Sequence, residues 1–261
     1  MQKFAVIEKS VGETPLEALE QFRLTARLAS NVPLTYAGRL DPMASGKLAV
    51  LIGDECKKRE AYDGLDKEYE FEVLLGMSSD TGDILGMAEI APQRQRYTAS
   101  LLRTAGRSIR GRHTLPYPAY SSKTVDGVPL FEHAKRGTLA DIRVPLATMR
   151  TYRVSYDGVR VLTSAELLEN VLERMLLLDS NDFRNDAICT RWSELLKGDS
   201  ERYTVAKYSA TVGSGTYIRA LAPLIAKTLG TGGLAYSIHR SRIGKFIPLL
   251  PGIGVWRSTL R

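Results

Sequence analysis

Residues Tyr36 to Gly46 read Y-A-G-R-L-D-P-M-A-S-G, a turn-forming run with one carboxylate at its centre. Gly38 and Gly46 permit backbone conformations that a side chain blocks. Pro42 pulls Asp41 out of helical geometry and toward an extended one. The apolar run Leu48 to Ile52 follows and suits a buried strand. A carboxylate projected from a rigid bend at the mouth of such a strand is well placed for chemistry. An Asp-Pro pair alone does no more than turn the chain, so Asp41 needs partners.

One candidate partner lies on the clearest strand, Lys67 to Leu75. Tyr69, Phe71, Val73 and Leu75 alternate with Glu68, Glu70 and Glu72, so Tyr69 points inward with Lys67 on the same face. The plain reading of Tyr69 is the end of a core stripe with its hydroxyl satisfied. Ser78 to Gly86, S-S-D-T-G-D-I-L-G, could hold a nucleotide or metal, but Asp80 and Asp83 are read here as capping backbone groups. The two cysteines and three histidines have no metal-ligand spacing, which predicts free thiols in a reducing compartment and disfavours a metal-dependent mechanism, with magnesium on carboxylates alone left open.

The net charge of +7 points to an anionic partner, with nucleic acid first. Arg103, Arg107, Arg110, Arg112 and His113 form one basic cluster, and His239, Arg240, Arg242 and Lys245 another. Each is either a solvated surface or a set of phosphate contacts. No run approaches the roughly 18 apolar residues that span a bilayer. The N-terminus reads as a first strand rather than a signal peptide, and the expected location is the cytosol.

The elements that must position these residues follow in order. Residues 3–8 are expected as a strand. Thr14-Pro15-Leu16-Glu17 predicts a capping box and a helix with Leu16, Leu19, Phe22, Ala26 and Leu28 on its apolar face, ended by Asn31 to Pro33. A helix is expected from Thr98 to about Ile109, a hairpin at Asp126-Gly127, and a helix from Pro129 to Arg136 stopped by Gly137. Strands are expected around 143–147, 149–156 and 159–162, with a hairpin at Asp157-Gly158. Thr163 and Glu166 make a second capping box, so residues 163–200 read as a helical insertion. Arg202 to Val212 returns to strand, a helix runs from Thr216 to Gly230, and Leu234 to Phe246 forms one or two strands. The residues after Pro248 are too few for another domain. The whole, 1–261, reads as one α+β domain with a mostly antiparallel sheet.

Four stretches together resemble the TruB family of pseudouridine synthases. They are A-G-R-L-D-P-M-A-S-G at 37–46, K-E-Y-E-F-E-V-L-L-G at 67–76 with S-D-T-G-D-I-L-G at 79–86, Y-P-A-Y-S-S-K-T-V-D-G-V-P-L-F-E-H-A-K-R-G at 117–137, and G-T-Y-I-R at 215–219. The resemblance implies that Asp41 is the catalytic aspartate, that Tyr69 stacks on the target base and helps remove a proton, and that Arg219 pairs with the aspartate. It implies substrate contacts from Tyr36, Arg39, Lys67, Ile238 and Arg240. It implies a mixed, mainly antiparallel sheet with flanking helices and a central RNA-binding cleft. The family's usual reaction isomerises the T-loop uridine of transfer RNA without metal or cofactor.

Three departures mark this chain. Family members usually carry a histidine where Tyr36 stands. Arg39 gives a G-R-L-D string like that of neighbouring synthase families that also modify ribosomal RNA. The helical insertion interrupts what should be a short hairpin, and no C-terminal RNA-binding PUA domain is expected. Two alternatives therefore accompany the tRNA reading: a synthase acting on ribosomal or other RNA, and an RNA-binding or RNA-folding protein without activity.

Overall fold

A computed structural model describes residues 3–91, 96–178 and 184–260. The chain opens with strand β1 (Phe4–Lys9) and helix α1 (Pro15–Thr25). The capping box forms: the Thr14 hydroxyl accepts from the Glu17 N–H, and the Glu17 carboxylate accepts from the Thr14 N–H. The helix ends earlier than expected because Arg27 takes φ 52°, a left-handed conformation that no α-helix continues. Ala26 and Leu28 therefore fall in the turn beyond it.

Strands β2 (Leu34–Ala37) and β3 (Ala44–Ile52) flank the Asp41 turn. A short helix α2 (Arg59–Asp63) leads into β4 (Asp66–Leu75). A small hairpin, β5 (Met77–Ser79) and β6 (Ala88–Ile90), encloses the Asp80–Asp83 turn, and α3 (Ala99–Ser108) follows. Then come β7 (Gly111–Pro116), the hairpin β8 (Thr124–Val125) and β9 (Val128–Pro129), and α4 (Leu130–Arg136). Asp126 and Gly127 both have positive φ, as a two-residue hairpin turn requires.

Strand β10 (Leu146–Thr163) corrects the sequence reading. Asp157-Gly158 does not reverse the chain. The register slips between Tyr156 and Gly158, and the 18-residue strand continues as a bulge. Its partner β11 (Arg202–Val212) pairs with it on both sides of the slip, which a hairpin would forbid. Helices α5 (Ser164–Met175) and α6 (Asn185–Leu196) connect the two strands, and α7 (Ile218–Thr228) follows β11. Strand β12 (Gly233–Leu250) then turns into β13 (Ile253–Thr259).

The main sheet has nine strands in the order β1-β3-β12-β4-β11-β10-β7, with β2 on β3 and β13 on β12. Only β3 and β12 run parallel; the other pairs in this sheet are antiparallel. The inward stripe of β4 that the alternation predicts is buried: Tyr69, Phe71, Val73 and Leu75 join a core with Leu102 and Ala105 of α3 and Leu221, Ala222 and Ile225 of α7. Removing that apolar surface from water is the main force holding helices to sheet.

The parallel junction is tight at one residue. Gly46 has φ +106°, and a Cβ there would lie 2.4 Å from the Arg240 carbonyl oxygen. Gly38 has φ +67°, but a Cβ there meets only the flexible end of Lys67 at 3.2 Å. Gly46→Ala is therefore expected to destabilise by about 2–3 kcal/mol, and Gly38→Ala by about 1 kcal/mol. Urea denaturation of both variants checks the ranking; equal costs would mean that strand approach does not select glycine at 46.

Candidate active site

Asp41 sits on the turn between β2 and β3, where the Ala44 N–H donates to its carbonyl at 3.0 Å. Its side chain is 31% exposed and so can be reached by a ligand. Arg219 stands in the first turn of α7, and its side chain is only 4% exposed. The Arg219 Nε donates to Asp41 Oδ2 at 2.7 Å. Its Nη1 donates to the Thr81 carbonyl at 2.8 Å and its Nη2 to the Tyr120 carbonyl at 3.1 Å. The fork is thus fixed from three other segments of the chain, and it in turn aims one Asp41 oxygen.

A second carboxylate shares the guanidinium. Asp83 Oδ2 lies 3.5 Å from Arg219 Nε, and its Oδ1 accepts from the Thr81 hydroxyl and the Leu85 N–H. Burial pushes the Asp83 carboxyl above its ordinary range, although Arg219 opposes this. Burial also weakens the charged form of Arg219, but Asp41 and Asp83 more than offset it and hold Arg219 above its ordinary value. The sequence reading missed Asp83. The signal was its place directly before apolar Ile84 and Leu85: a carboxylate drawn inside with them needs a cation.

Two cavities meet at Asp41. One, of about 250 Å³, is lined by Lys67, Tyr69, Tyr217, Ile238 and Arg240 among others. The other, of about 320 Å³, lies on the Arg219 side and includes Tyr120, Phe131, Lys135 and Arg184. Arg39, Asp41, Ser121 and Ser122 border both. Tyr69 reaches the first cavity from β4, where its register partner on β12 is Arg240. Of the eight site residues read from the sequence, seven gather here.

Tyr36 does not. The pairing of β2 with β3 sets it opposite Val50, and its ring packs on the cluster of Leu19, Val50 and Ile52 with the Arg59 guanidinium over it. It lines neither cavity. The basic cluster around Arg240 also dissolves. Arg240 is fully buried and donates to the Lys47 and Arg39 carbonyls, whereas Arg242 pairs with Glu68 and lies over Trp256. The register of β12 on β4 slips between Arg240 and Arg242, so two residues that plain alternation would set on one face part company.

Lys67 and Lys9 are buried ammonium groups beside the site. Lys67 Nζ donates to the Asp63 and Leu65 carbonyls, and burial, aided by Arg240, lowers it to about 8. Lys9 donates to the Ser10 and Glu13 carbonyls, and burial lowers it to about 8 against Glu13 and Asp41. Unfolded, both carry the ordinary value of 10.5. Between those values the unfolded chain binds more protons, so each lysine makes stability rise with pH across that window. Relative to Lys67→Met, the wild-type urea midpoint is expected to climb from about pH 8 to about pH 10. A constant difference would show that Lys67 is not desolvated in the folded chain.

A model of the TruB family pseudouridylate synthase N-terminal domain matches residues 27–163. A tRNA pseudouridine synthase B of Aromatoleum aromaticum is 30% identical over 92% of this chain and 63% of its own length. That of Geotalea uraniireducens is 26% identical over 94% of this chain and 64% of its own. The tRNA pseudouridine synthase 4 of Saccharomyces cerevisiae is 27% identical over 88% of this chain and 67% of its own. The chain thus spans about two thirds of the length of these relatives. Its fold is like that in a crystal structure of a Cbf5-Nop10-Gar1 complex, with a TM-score of 0.57 and 16% identity over 93% of this chain and 49% of that one. It is also like that in the archaeal box H/ACA sRNP Nop10-Cbf5 complex, with a TM-score of 0.52 and 16% identity over 93% and 48%. These likenesses bear out the α+β class with its mixed, mainly antiparallel sheet. With more than half of its 261 residues matched by the family model, the chain belongs to the TruB family of pseudouridylate synthases.

Proposed function

We propose that the chain isomerises uridine to pseudouridine in RNA, with the T-loop uridine of transfer RNA as substrate. The carrying observation is the ion pair of Asp41 and Arg219 where two cavities meet, with Tyr69 in the wall of one. The relatives named tRNA pseudouridine synthase support the transfer RNA reading. The reaction must break the N-glycosidic bond, turn the uracil, and rejoin it through C5. Arg219 holds and directs one oxygen of Asp41. The other oxygen of Asp41 then attacks the sugar or assists loss of a sugar proton. A stacked base is out of reach, so the uridine has to leave its stack and enter the cavity, where the Tyr69 ring supplies a face and its phenol stands near the C5 proton. Lys67, Arg39 and Arg240 put three cationic groups in the cavity wall beside the Asp41 and Asp63 carboxylates, and cations there suit a phosphate-bearing ligand.

The same chemistry on ribosomal or other RNA is the second reading, and the placement of Arg39 at the border of both cavities favours it only through the G-R-L-D string. The chain is read as working in the cytosol; among the described residues no helix is long and apolar enough to cross a membrane.

Tritium release from C5-labelled transfer RNA tests the reaction. Asp41→Asn is expected to lower release by on the order of a thousandfold or more while RNA binding persists. Arg219→Lys keeps the charge but loses the fork, and should cost on the order of a hundredfold in rate with little loss of affinity. No release by the wild-type chain would leave an RNA-binding protein; equal losses of rate and affinity would reduce Arg219 to a phosphate contact. Raising salt should weaken RNA binding along a straight log–log line, and salt-insensitive binding would remove the cationic wall from the account.

A further inference from the structure

Strands β10 and β11 are antiparallel neighbours that end together, with Thr163 opposite Arg202. A tight turn can join such a pair. This chain instead builds α5 and α6 there, and their Leu167, Val171, Met175, Ile188, Trp192 and Leu196 enter the main core. The pair also grips the segment around Asp83. Trp192 Nε1 donates to the Gly86 carbonyl at 3.1 Å, and Arg191 Nε donates to the Ala88 carbonyl at 3.0 Å.

Just ahead of α6, Arg184 Nη2 donates to Asp80 Oδ2 at 2.7 Å, and its guanidinium lies over the Tyr120 ring, 4.8 Å from the centroid. The Tyr120 hydroxyl donates to the same Asp80 oxygen at 3.3 Å, and the Met87 N–H donates to the other at 2.8 Å. What these groups adjoin gives the contact its meaning. Thr81, next to Asp80, and Tyr120 supply the two carbonyls that hold the Arg219 fork. A closed ring therefore runs from Arg184 through Asp80 and Thr81 to Arg219, and back through Tyr120. Asp41 is bonded to the Nε of Arg219 within that ring. Arg184 and Asp80 are 37% and 34% exposed, and ion pairs so open to water add little stability, so the effect of this one is geometric.

We infer that Arg184 is a positioning residue for Asp41: it ties the Asp80–Thr81 turn to the Tyr120 segment and so fixes both carbonyls that orient Arg219. This rests on Asp41 as the reacting carboxylate, as proposed above. The α5–α6 insertion thereby becomes a brace for the site rather than a surface addition.

Two readouts test it. The ¹⁵N resonance of the Arg219 Nε–H, followed in the free protein, needs no turnover. Arg184→Ala is expected to speed its exchange with water by on the order of tenfold, and Arg184→Lys, which keeps the charge, recovers part of the protection. In single-turnover tritium release at saturating RNA, Arg184→Ala slows the reaction by on the order of ten- to a hundredfold with affinity nearly unchanged. Arg191→Ala removes a bond to the same segment away from Arg219 and leaves both readouts at wild-type values. An Arg219 signal unmoved by Arg184→Ala overturns the inference. So does lost affinity with an intact saturated rate, which makes Arg184 an RNA contact. Equal effects from Arg191→Ala also overturn it, since they mark general loosening. A wild-type chain that releases no tritium defeats the proposed reaction, while the Arg219 resonance still decides the brace.

Discussion

A guanidinium that is nearly out of water has to be met by acceptors on every side, and Arg219 organises this molecule because it is. Removing one partner of such a pair costs on the order of 3–5 kcal/mol, since the other charge is left stranded. Four segments therefore have to arrive together: the turn carrying Asp41, the turn carrying Thr81 and Asp83, the stretch carrying Tyr120, and the first turn of α7. The first three would otherwise be held by fewer contacts to the rest of the chain. The electrostatic demand of one side chain converts them into a single walled site, and the two carboxylates on it are made unlike by their surroundings. Asp83 is sealed in and satisfied by neighbours, while Asp41 keeps an open flank.

The sheet supplies the second constraint. Strand β12 lies between β3 and β4, and it runs parallel to the first and antiparallel to the second. That placement sets Ile238 beside Ala44 and Arg240 beside both Gly46 and Tyr69. The wall of one cavity is thus written across three strands that are remote in sequence. The Lys67 and Arg240 groups in it donate to backbone carbonyls, and the Asp41 and Asp63 carboxylates share the same wall.

Much of this was legible beforehand where local rules decide. The alternation on β4 placed Tyr69 and Lys67 on one inward face, and both capping boxes formed, because periodicity and caps depend on near neighbours. The elements that resisted reading are those settled by distant partners. Asp157-Gly158 has hairpin chemistry, but β11 pairs with the chain on both sides of it and makes a bulge. The charge of Arg240 suggested a surface, yet its strand is the parallel neighbour of β3 and buries it. Tyr36 stands next to the critical turn in sequence, and strand pairing faces it away. Asp83 looked like a capping residue because its cation lies on α7, far along the chain. Spacing reports what sits side by side on one element; it is silent on which elements meet.

The late position of β12 has a consequence for biosynthesis. Asp41 and Arg219 are 178 residues apart, and β3 gains its parallel neighbour only from residues 233 onward. On a ribosome, β3 emerges early with β1 able to pair along one edge and β2 along the other beside Ala49–Ile52, which leaves Ala44–Gly46 without the partner that β12 later supplies. Closing contacts over such long separations is slow, and an open strand flank is the kind of surface through which nascent chains stick to one another. The hollow beside Asp41 takes part of its wall from Ile238 and Arg240, so no product that stops before β12 carries it.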